Sequence, residues 1–205
     1  MNYQRKTALI TGASSGIGAA FAEILAQKGM NLVLVSRSAP KLEAFATQLQ
    51  QKYQIQADAI AADLSQENIA SSIYQITQKR KIQIDMLINN AGFSTNGNFA
   101  SIASEKDHQQ VMLNVIALVD LTHAFLPDML TKGEGIIINL GSATSFFPLP
   151  YQVVYGASKA FILSFSEALW AEYRQQGIKV LALCPGPTNT NFFKNANSSM
   201  KCNRF

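Results

Sequence analysis

Cysteine, histidine and tryptophan are scarce in this chain, with two, two and one respectively among 205 residues. The two cysteines, Cys184 at a strand end and Cys202 in the tail, make no disulfide framework, and no cluster of side chains has metal-ligand spacing. His108 and His123 have no spaced partner and receive no catalytic assignment. Charge is sparse as well, at 15% of residues, and the net +4 is scattered along the chain. Arg5, Lys6 and the run Lys79, Arg80, Lys81 therefore read as solvated faces, and no nucleic-acid partner is expected. No N-terminal signal pattern appears, nor an apolar run of about 18 residues that could cross a bilayer. The expectation is a cytoplasmic protein without a membrane span. The 48% hydrophobic content suffices for one sizeable core in one domain.

What the chain does have begins at its N-terminus. Lys6 to Ile10 reads as a buried strand and Ile17 to Lys28 as a helix stopped by Gly29, with Ile17, Phe21, Ile24 and Leu25 on one face. Between them runs Thr11-Gly-Ala-Ser-Ser-Gly-Ile-Gly18. Three glycines alone are weak evidence, but strand, glycine loop and helix in that order make a phosphate cradle. Gly12 allows the tight turn, Gly16 a close backbone approach, and Gly18 helix packing against the sheet. The N–H groups of Ser14, Ser15, Gly16, Ile17 and Gly18, aided by the helix dipole, attract an anion.

A second strand, Asn31 to Ser36, ends about twenty residues on, where an acidic side chain would bond the ribose 2′-hydroxyl of NAD. Here stand Ser36 and Arg37. A guanidinium pairs with a 2′-phosphate that a carboxylate would repel, so NADP(H) is expected over NAD(H). The bland alternative is one more solvated arginine.

Further along, Asp63 follows a third strand and could equally be a helix N-cap. Asn90, Ala91 and Gly92 follow the apolar run at Asp85 to Ile88, at a strand's C-terminal edge, where open α/β sheets bind ligands. Their role is either cofactor-proximal or scaffolding. Ser142 follows the isoleucine-rich strand Gly135 to Leu140 and could simply open a loop. Asn114 is polar in an apolar stretch and needs a buried partner. Tyr155 and Lys159 lie at i and i+4 on the predicted helix Val153 to Tyr173. That spacing puts an ammonium beside a phenol, which would lower the high tyrosine pKa toward a useful acid or base.

Taken in order, Thr11 to Gly18, Asp63, Asn89-Asn90-Ala91-Gly92, Asn114, Ser142, the Tyr155/Lys159 pair and Pro185-Gly186 resemble the short-chain dehydrogenase/reductase superfamily to about Phe193. The resemblance implies a Rossmann-like doubly wound parallel sheet of order 3-2-1-4-5-6, and a dimer or tetramer paired through the helix after Ser104 and Val153 to Tyr173. It also implies site roles. Asp63 meets the adenine edge, Ser142 orients a substrate oxygen, and Tyr155 is the general acid or base. Lys159 bonds the nicotinamide ribose, and Asn114 holds a water that relays protons; the competing role for Asn114 is a satisfied core asparagine in a kinked helix. Pro185, Gly186 and Thr190, with Thr188 as near competitor, meet the nicotinamide end. The substrate would be a carbonyl or alcohol, and Phe146, Phe147, Pro148, Leu149 and Tyr151, followed by Phe192 and Phe193, suggest an apolar mouth, with loop packing as the competing role for these side chains.

The chain departs from that family at its end. Residues 194–205 form a polar tail without strand or helix pattern, and the seventh strand of the relatives is expected to be missing. That would leave the sixth strand as an open edge. Two expectations therefore stand side by side: an NADP-dependent oxidoreductase, and a truncated, non-catalytic nucleotide-binding module. A nucleotide-sugar epimerase shares the Tyr-x-x-x-Lys pair but fits the Asn-Asn-Ala-Gly segment poorly.

Overall fold

The computed structural model describes residues 3–188. Thr190, Phe192, Phe193 and the tail 194–205 lie outside them. Six parallel strands, β1 (Thr7–Thr11), β2 (Asn31–Ser36), β3 (Ala57–Ala61), β4 (Met86–Asn89), β5 (Gly135–Leu140) and β6 (Ile178–Leu183), form one sheet in the order β3-β2-β1-β4-β5-β6. The expected topology is what is observed. These strands are short apolar runs, and both faces of the sheet are covered, as parallel sheets require.

Period-2 alternation divides the side chains. Leu9, Val33, Val35, Leu87 and Ile137 face one layer of helices, α3 (Ile69–Lys79), α5 (Ala117–Lys132) and α6 (Val153–Tyr173). Ala8, Ile10, Leu32, Leu34, Met86 and Ile88 face the other, α1 (Gly16–Gln27) and α2 (Ala39–Tyr53). The strand order reverses between β1 and β4, so the crevice at their C-terminal ends is the natural ligand position.

Two sequence expectations are corrected here. The face of α1 turned to the sheet is Gly18, Ala22, Leu25 and Ala26, while Ile24 points outward at 51% exposure. Small residues win because the start of this helix must lie against the glycine loop. The second correction concerns length. Helix α4 (Ser104–Val111), a π-helical turn (Met112–Ile116) and α5 run on as one helix, Ser104–Lys132, of 29 residues, long and apolar enough to cross a membrane. Its apolar side, Leu121, Phe125 and Met129, is packed against the sheet. The cytoplasmic expectation leaned partly on the absence of such a segment and loses that support.

On α6 the usual amphipathic order is inverted. Tyr155, Ser158, Lys159 and Ser166 are buried, whereas Val153, Phe161 and Trp170 are exposed. These buried polar groups of α6 all have partners. Ser166 accepts from the Asn139 amide at 3.0 Å, Asn139 Oδ1 accepts from the Asn89 amide at 3.0 Å, and Ser158 Oγ accepts from the Asn114 amide at 3.2 Å. Polar pairs thus fix the register of α6 on the sheet where apolar packing alone would let it slide. Among the described residues β6 pairs only with β5, and Leu181 on it is 53% exposed.

Candidate active site

Strand β1 ends at Thr11, and the chain turns through Gly12 (φ 64°) and Gly16 (φ 58°) into α1. Both angles are in the left-handed region that favours glycine. A Cβ on Gly18 would sit 2.4 Å from the Gly12 carbonyl oxygen and 2.5 Å from the Asn90 amide nitrogen. The first turn of α1 is therefore pressed directly onto the loop. Its N-cap, Ser15, makes no side-chain capping bond, which leaves the leading N–H groups open to a ligand.

Asn90 acts as the clasp between this loop and β4. Its amide donates to the carbonyls of Thr11 at 2.8 Å and Gly12 at 3.3 Å. Thr11 Oγ1 in turn accepts from the N–H groups of Asn90 at 2.9 Å and Ala91 at 3.0 Å. Of the two readings of this segment, the scaffold is what the geometry displays, and Asn90, Ala91 and Gly92 also line the crevice.

At the far end of the crevice stand Ser36, exposed Arg37 and Asp63. Ser36 Oγ is buried and has no hydrogen-bond partner. Asp63 accepts from the hydroxyl of Ser65 at 2.7 Å and its N–H at 3.0 Å. Those bonds, with the Arg37 charge adding to them, hold its carboxyl below the usual range. Asp63 thus caps its own turn and faces the crevice as well.

The opposite end carries the proposed chemistry. Tyr155 is buried and hydrogen-bonded to the side chain of Ser142. Burial pushes the phenol pKa up, and the Ser142 bond only partly offsets it. This corrects the sequence expectation of a lowered value, because desolvation of the phenolate outweighs the neighbouring cation. Lys159 Nζ lies 5.7 Å from the Tyr155 ring centroid and donates to the Leu140 carbonyl at 2.5 Å. Full burial lowers its pKa to about 8. Ser142 is also the N-cap of the short helix Ala143–Phe146, accepting from Thr144 N–H at 3.2 Å, so it opens a loop and meets Tyr155 at once.

Asn114 occupies the π-helical turn, with its side chain fully engaged. It accepts from Phe93 N–H at 3.1 Å and donates to the Phe93 carbonyl at 3.0 Å and to Ser158. That matches a satisfied core asparagine in a distorted helix. A Cβ on Gly92 would come within 2.9 Å of Asn114 Oδ1 and 3.8 Å of Lys159 Nζ, so the Phe93 loop is drawn down onto the lysine.

A single cleft of about 540 Å³ joins these groups. It runs from Arg37, Ser36 and Asp63 past Gly12, Ser14, Ser15, Gly16 and Ile17 to Ser142, Tyr155, Lys159, Pro185, Gly186 and Thr188. Gly18 and Asn114 stand behind its wall. The orphaned Ser36 hydroxyl, the uncapped helix and the glycine turn fit an extended, phosphate-bearing dinucleotide. Sequence reasoning missed Phe93, which also lines the cleft, and treated Ser36 only as the seat of an absent acid.

The comparisons agree with this geometry. Residues 6–201 match the family model described as short chain dehydrogenase. The chain is 36% identical over 180 residues to hydroxysteroid dehydrogenase-like protein 1 of Gallus gallus, covering 87% of this chain and 54% of that protein. A short-chain dehydrogenase from Sphingobium yanoikuyae in complex with NADPH superposes with a TM-score of 0.88 at 38% identity, over 93% of this chain and 74% of that one. For the bulky-bulky ketone specific alcohol dehydrogenase from Comamonas testosteroni the TM-score is 0.85 at 38% identity, over 92% and 75%. The chain spans between 54% and 62% of the length of the curated relatives it matches. With the sheet order, the glycine turn and the Ser142, Tyr155 and Lys159 cluster in one cleft, the match over residues 6–201 means that this chain belongs to the short-chain dehydrogenase/reductase family.

Proposed function

We propose that the protein is an NADP(H)-dependent oxidoreductase that interconverts a carbonyl and an alcohol. The observation that carries this reading is that the glycine turn and the Tyr155 group open onto the same cleft. Residues 12–18 would hold the phosphates, Arg37 and the unpartnered Ser36 hydroxyl the 2′-phosphate, and Asp63 the adenine side. The NADPH complex of the Sphingobium yanoikuyae relative supports the choice of a nicotinamide cofactor. Its preference over NAD(H) rests on Arg37 and on the lack of an acid at positions 36 and 37.

The cofactor supplies or accepts the hydride. The chain's own residues manage the oxygen and the proton. Ser142 holds the substrate oxygen, and Tyr155, kept protonated at neutral pH by burial, gives it a proton in the reductive direction. Lys159 supplies positive charge beside that proton, with Pro185, Gly186 and Thr188 closing the nicotinamide end. Asn114 holds the Phe93 loop and the distorted helix behind them.

An apolar, bulky carbonyl compound is the substrate class this surface suits. Phe146, Phe147 and Tyr151 are exposed on the segment that follows Ser142, Gly97 N–H donates to the Tyr151 carbonyl at 2.8 Å, and Phe99, two residues further on, is exposed as well. The ketone specificity named for the Comamonas testosteroni enzyme supports it. One exposed stripe along α6, Val153, Ala157, Ala160, Ser164, Ala168 and Ala171, is small and uncharged, with exposed Phe161, Glu167 and Trp170 flanking it, and that stripe suits close helix pairing in a homo-oligomer.

Fluorescence titration with NADPH and NADH, followed by loss of reduced cofactor across a panel of ketones and aldehydes, tests the reading. Turnover that Tyr155→Phe lowers by about 10²-fold or more, with NADPH binding intact, supports it. A folded protein that binds NADPH and reduces nothing would instead be a non-catalytic nucleotide-binding module.

A further inference from the structure

Ser145 is buried beside the catalytic group, and its one hydroxyl is used to capacity. It donates to the Lys159 main-chain carbonyl at 2.8 Å, accepts from Ser142 N–H at 3.2 Å, and lies 3.8 Å from Cys184 Sγ, a weak donor. A hydroxyl offers one donor and two acceptor sites, so all three are filled. The partners belong to three different segments: the turn that presents Ser142, the helix that presents Tyr155 and Lys159, and the end of β6 that leads into Pro185-Gly186.

The turn packs against α6, but few hydrogen bonds tie it there. It is a single 3₁₀ turn, Ala143–Phe146, entered by extended backbone at Ser142 and followed by exposed Phe146 and Phe147. Gly141 before it is crowded: a Cβ there would meet Cys184 Sγ at 2.6 Å and Ser145 Oγ at 3.1 Å. Ala143 N–H adds one bond to the Pro185 carbonyl at 3.0 Å. The same serine completes a reciprocal cap with Ser142, whose hydroxyl faces Tyr155.

We infer that Ser145 is a positioning residue, whose hydroxyl holds the Ser142 side chain against the Tyr155 hydroxyl by tying the Ser142 turn to α6 at Lys159. This rests on the oxidoreductase reading for its meaning in turnover, but not for its geometry. Without the hydroxyl, the Ser142 amide loses its partner, the turn gains freedom, and the bond that favours the ionised phenol weakens.

The test uses the full chain as Ser145→Ala, Ser145→Thr and the double variant Ser142→Ala/Ser145→Ala. The titration midpoint of Tyr155 is read as the phenolate absorbance that vanishes in a Tyr155→Phe background. The expected result is a higher midpoint in Ser145→Ala, its return in Ser145→Thr, and no further shift when Ser142 is already alanine. With a working ketone substrate, kcat falls about 10-fold to 100-fold while NADPH affinity stays the same. Ser145→Cys, similar in volume but a weaker partner, answers the same question should the alanine variant not fold. A lower melting temperature with an unmoved Tyr155 midpoint would overturn the proposal, as would an equal shift with and without Ser142. Wild-type protein that reduces no carbonyl would end the oxidoreductase reading, while the Tyr155 midpoint would still judge the positioning role.

Discussion

The ammonium of Lys159 is bound to the carbonyl of Leu140 at 2.5 Å, at the end of β5, in a site where the lysine is fully buried. Burial favours the neutral amine, and the folded pKa is about 8 against 10.5 for a free lysine. The folded state therefore carries a cost for the charged form at low pH. Between about pH 8 and 10.5 the unfolded chain binds more protons than the folded one, so stability from this group rises with pH. The total is about 3 kcal/mol. Urea unfolding of wild type and Lys159→Met as a function of pH should show the difference between them shifting in favour of wild type across that window. Taking the difference cancels other groups, such as Tyr155, whose raised pKa acts in the opposite sense at higher pH. A pH-independent difference would mean that the lysine takes up its proton in the folded protein as it does in the unfolded chain, its charge solvated or compensated.

Arg37 decides the second prediction. It is exposed at the rim, close enough to Asp63 for the charges to interact, and the residues flanking it at the end of β2, Ser36 and Ser38, are not acidic. Arg37→Asp exchanges a partner for the 2′-phosphate for a group that repels it. The affinity for NADPH should fall by about 1.5–3 kcal/mol, the range for hydrogen bonds to charged groups, with NADH binding unchanged or improved. Parallel titrations with both cofactors check this, and equal losses for the two would remove the arginine from the cofactor site.

Much of this site was legible because short-range chemistry writes it. The glycine turn needs Gly12 and Gly18 where backbone meets backbone, and the i, i+4 spacing of Tyr155 and Lys159 survives any detail of packing. The sheet order was implied by the family resemblance that those motifs carry, and the structure shows it. What stayed hidden depends on contacts between distant segments. Nothing local distinguishes Ser145 from its neighbours Ser142 and Thr144 as the one hydroxyl that reaches α6. The inward face of α1 was misassigned because close approach to Gly12 selects small side chains over the apolar Ile24. The direction of the Tyr155 shift was missed for the same reason: the spacing reveals a cation but not the depth of burial.

Gly18→Ala is predicted to be disproportionate to its single methyl. The new Cβ would lie 2.4 Å from the Gly12 carbonyl oxygen, a backbone atom that cannot rotate away. Helix α1 must move off the loop, which breaks the Asn90 clasp and widens the phosphate cradle. Overpacking of this kind costs about 1–3 kcal/mol of stability. NADPH affinity should drop by at least 10-fold, whereas Gly133→Ala, with open space around the new methyl but a positive φ, should cost stability alone. Comparing NADPH binding in the two variants separates cradle geometry from general strain.

At the opposite end of the sheet, Asp85 is buried and forms an ion pair with Lys132 through Oδ1, while Oδ2 accepts from Thr7 N–H at 2.8 Å. Its own N–H donates to the Thr7 carbonyl at 2.9 Å, and its carbonyl accepts from Ile136 N–H at 3.0 Å. One residue therefore joins the starts of β1 and β5 to the last turn of α5. Asp85→Ala leaves the Thr7 N–H buried without an acceptor and removes the counter-charge of Lys132, whose side chain is one-third exposed. The expected loss is about 3 kcal/mol, dominated by the unpaired backbone donor because the lysine can turn to water. Asp85→Asn keeps an acceptor for Thr7 and should lose about 1 kcal/mol. Cofactor binding should be unaffected in the folded fraction, since the cleft lies at the C-terminal ends of the strands and Asp85 at the N-terminal end of β4. Urea unfolding of the three proteins checks the order, and equal losses for alanine and asparagine would show that the ion pair, not the backbone bond, carries the stability.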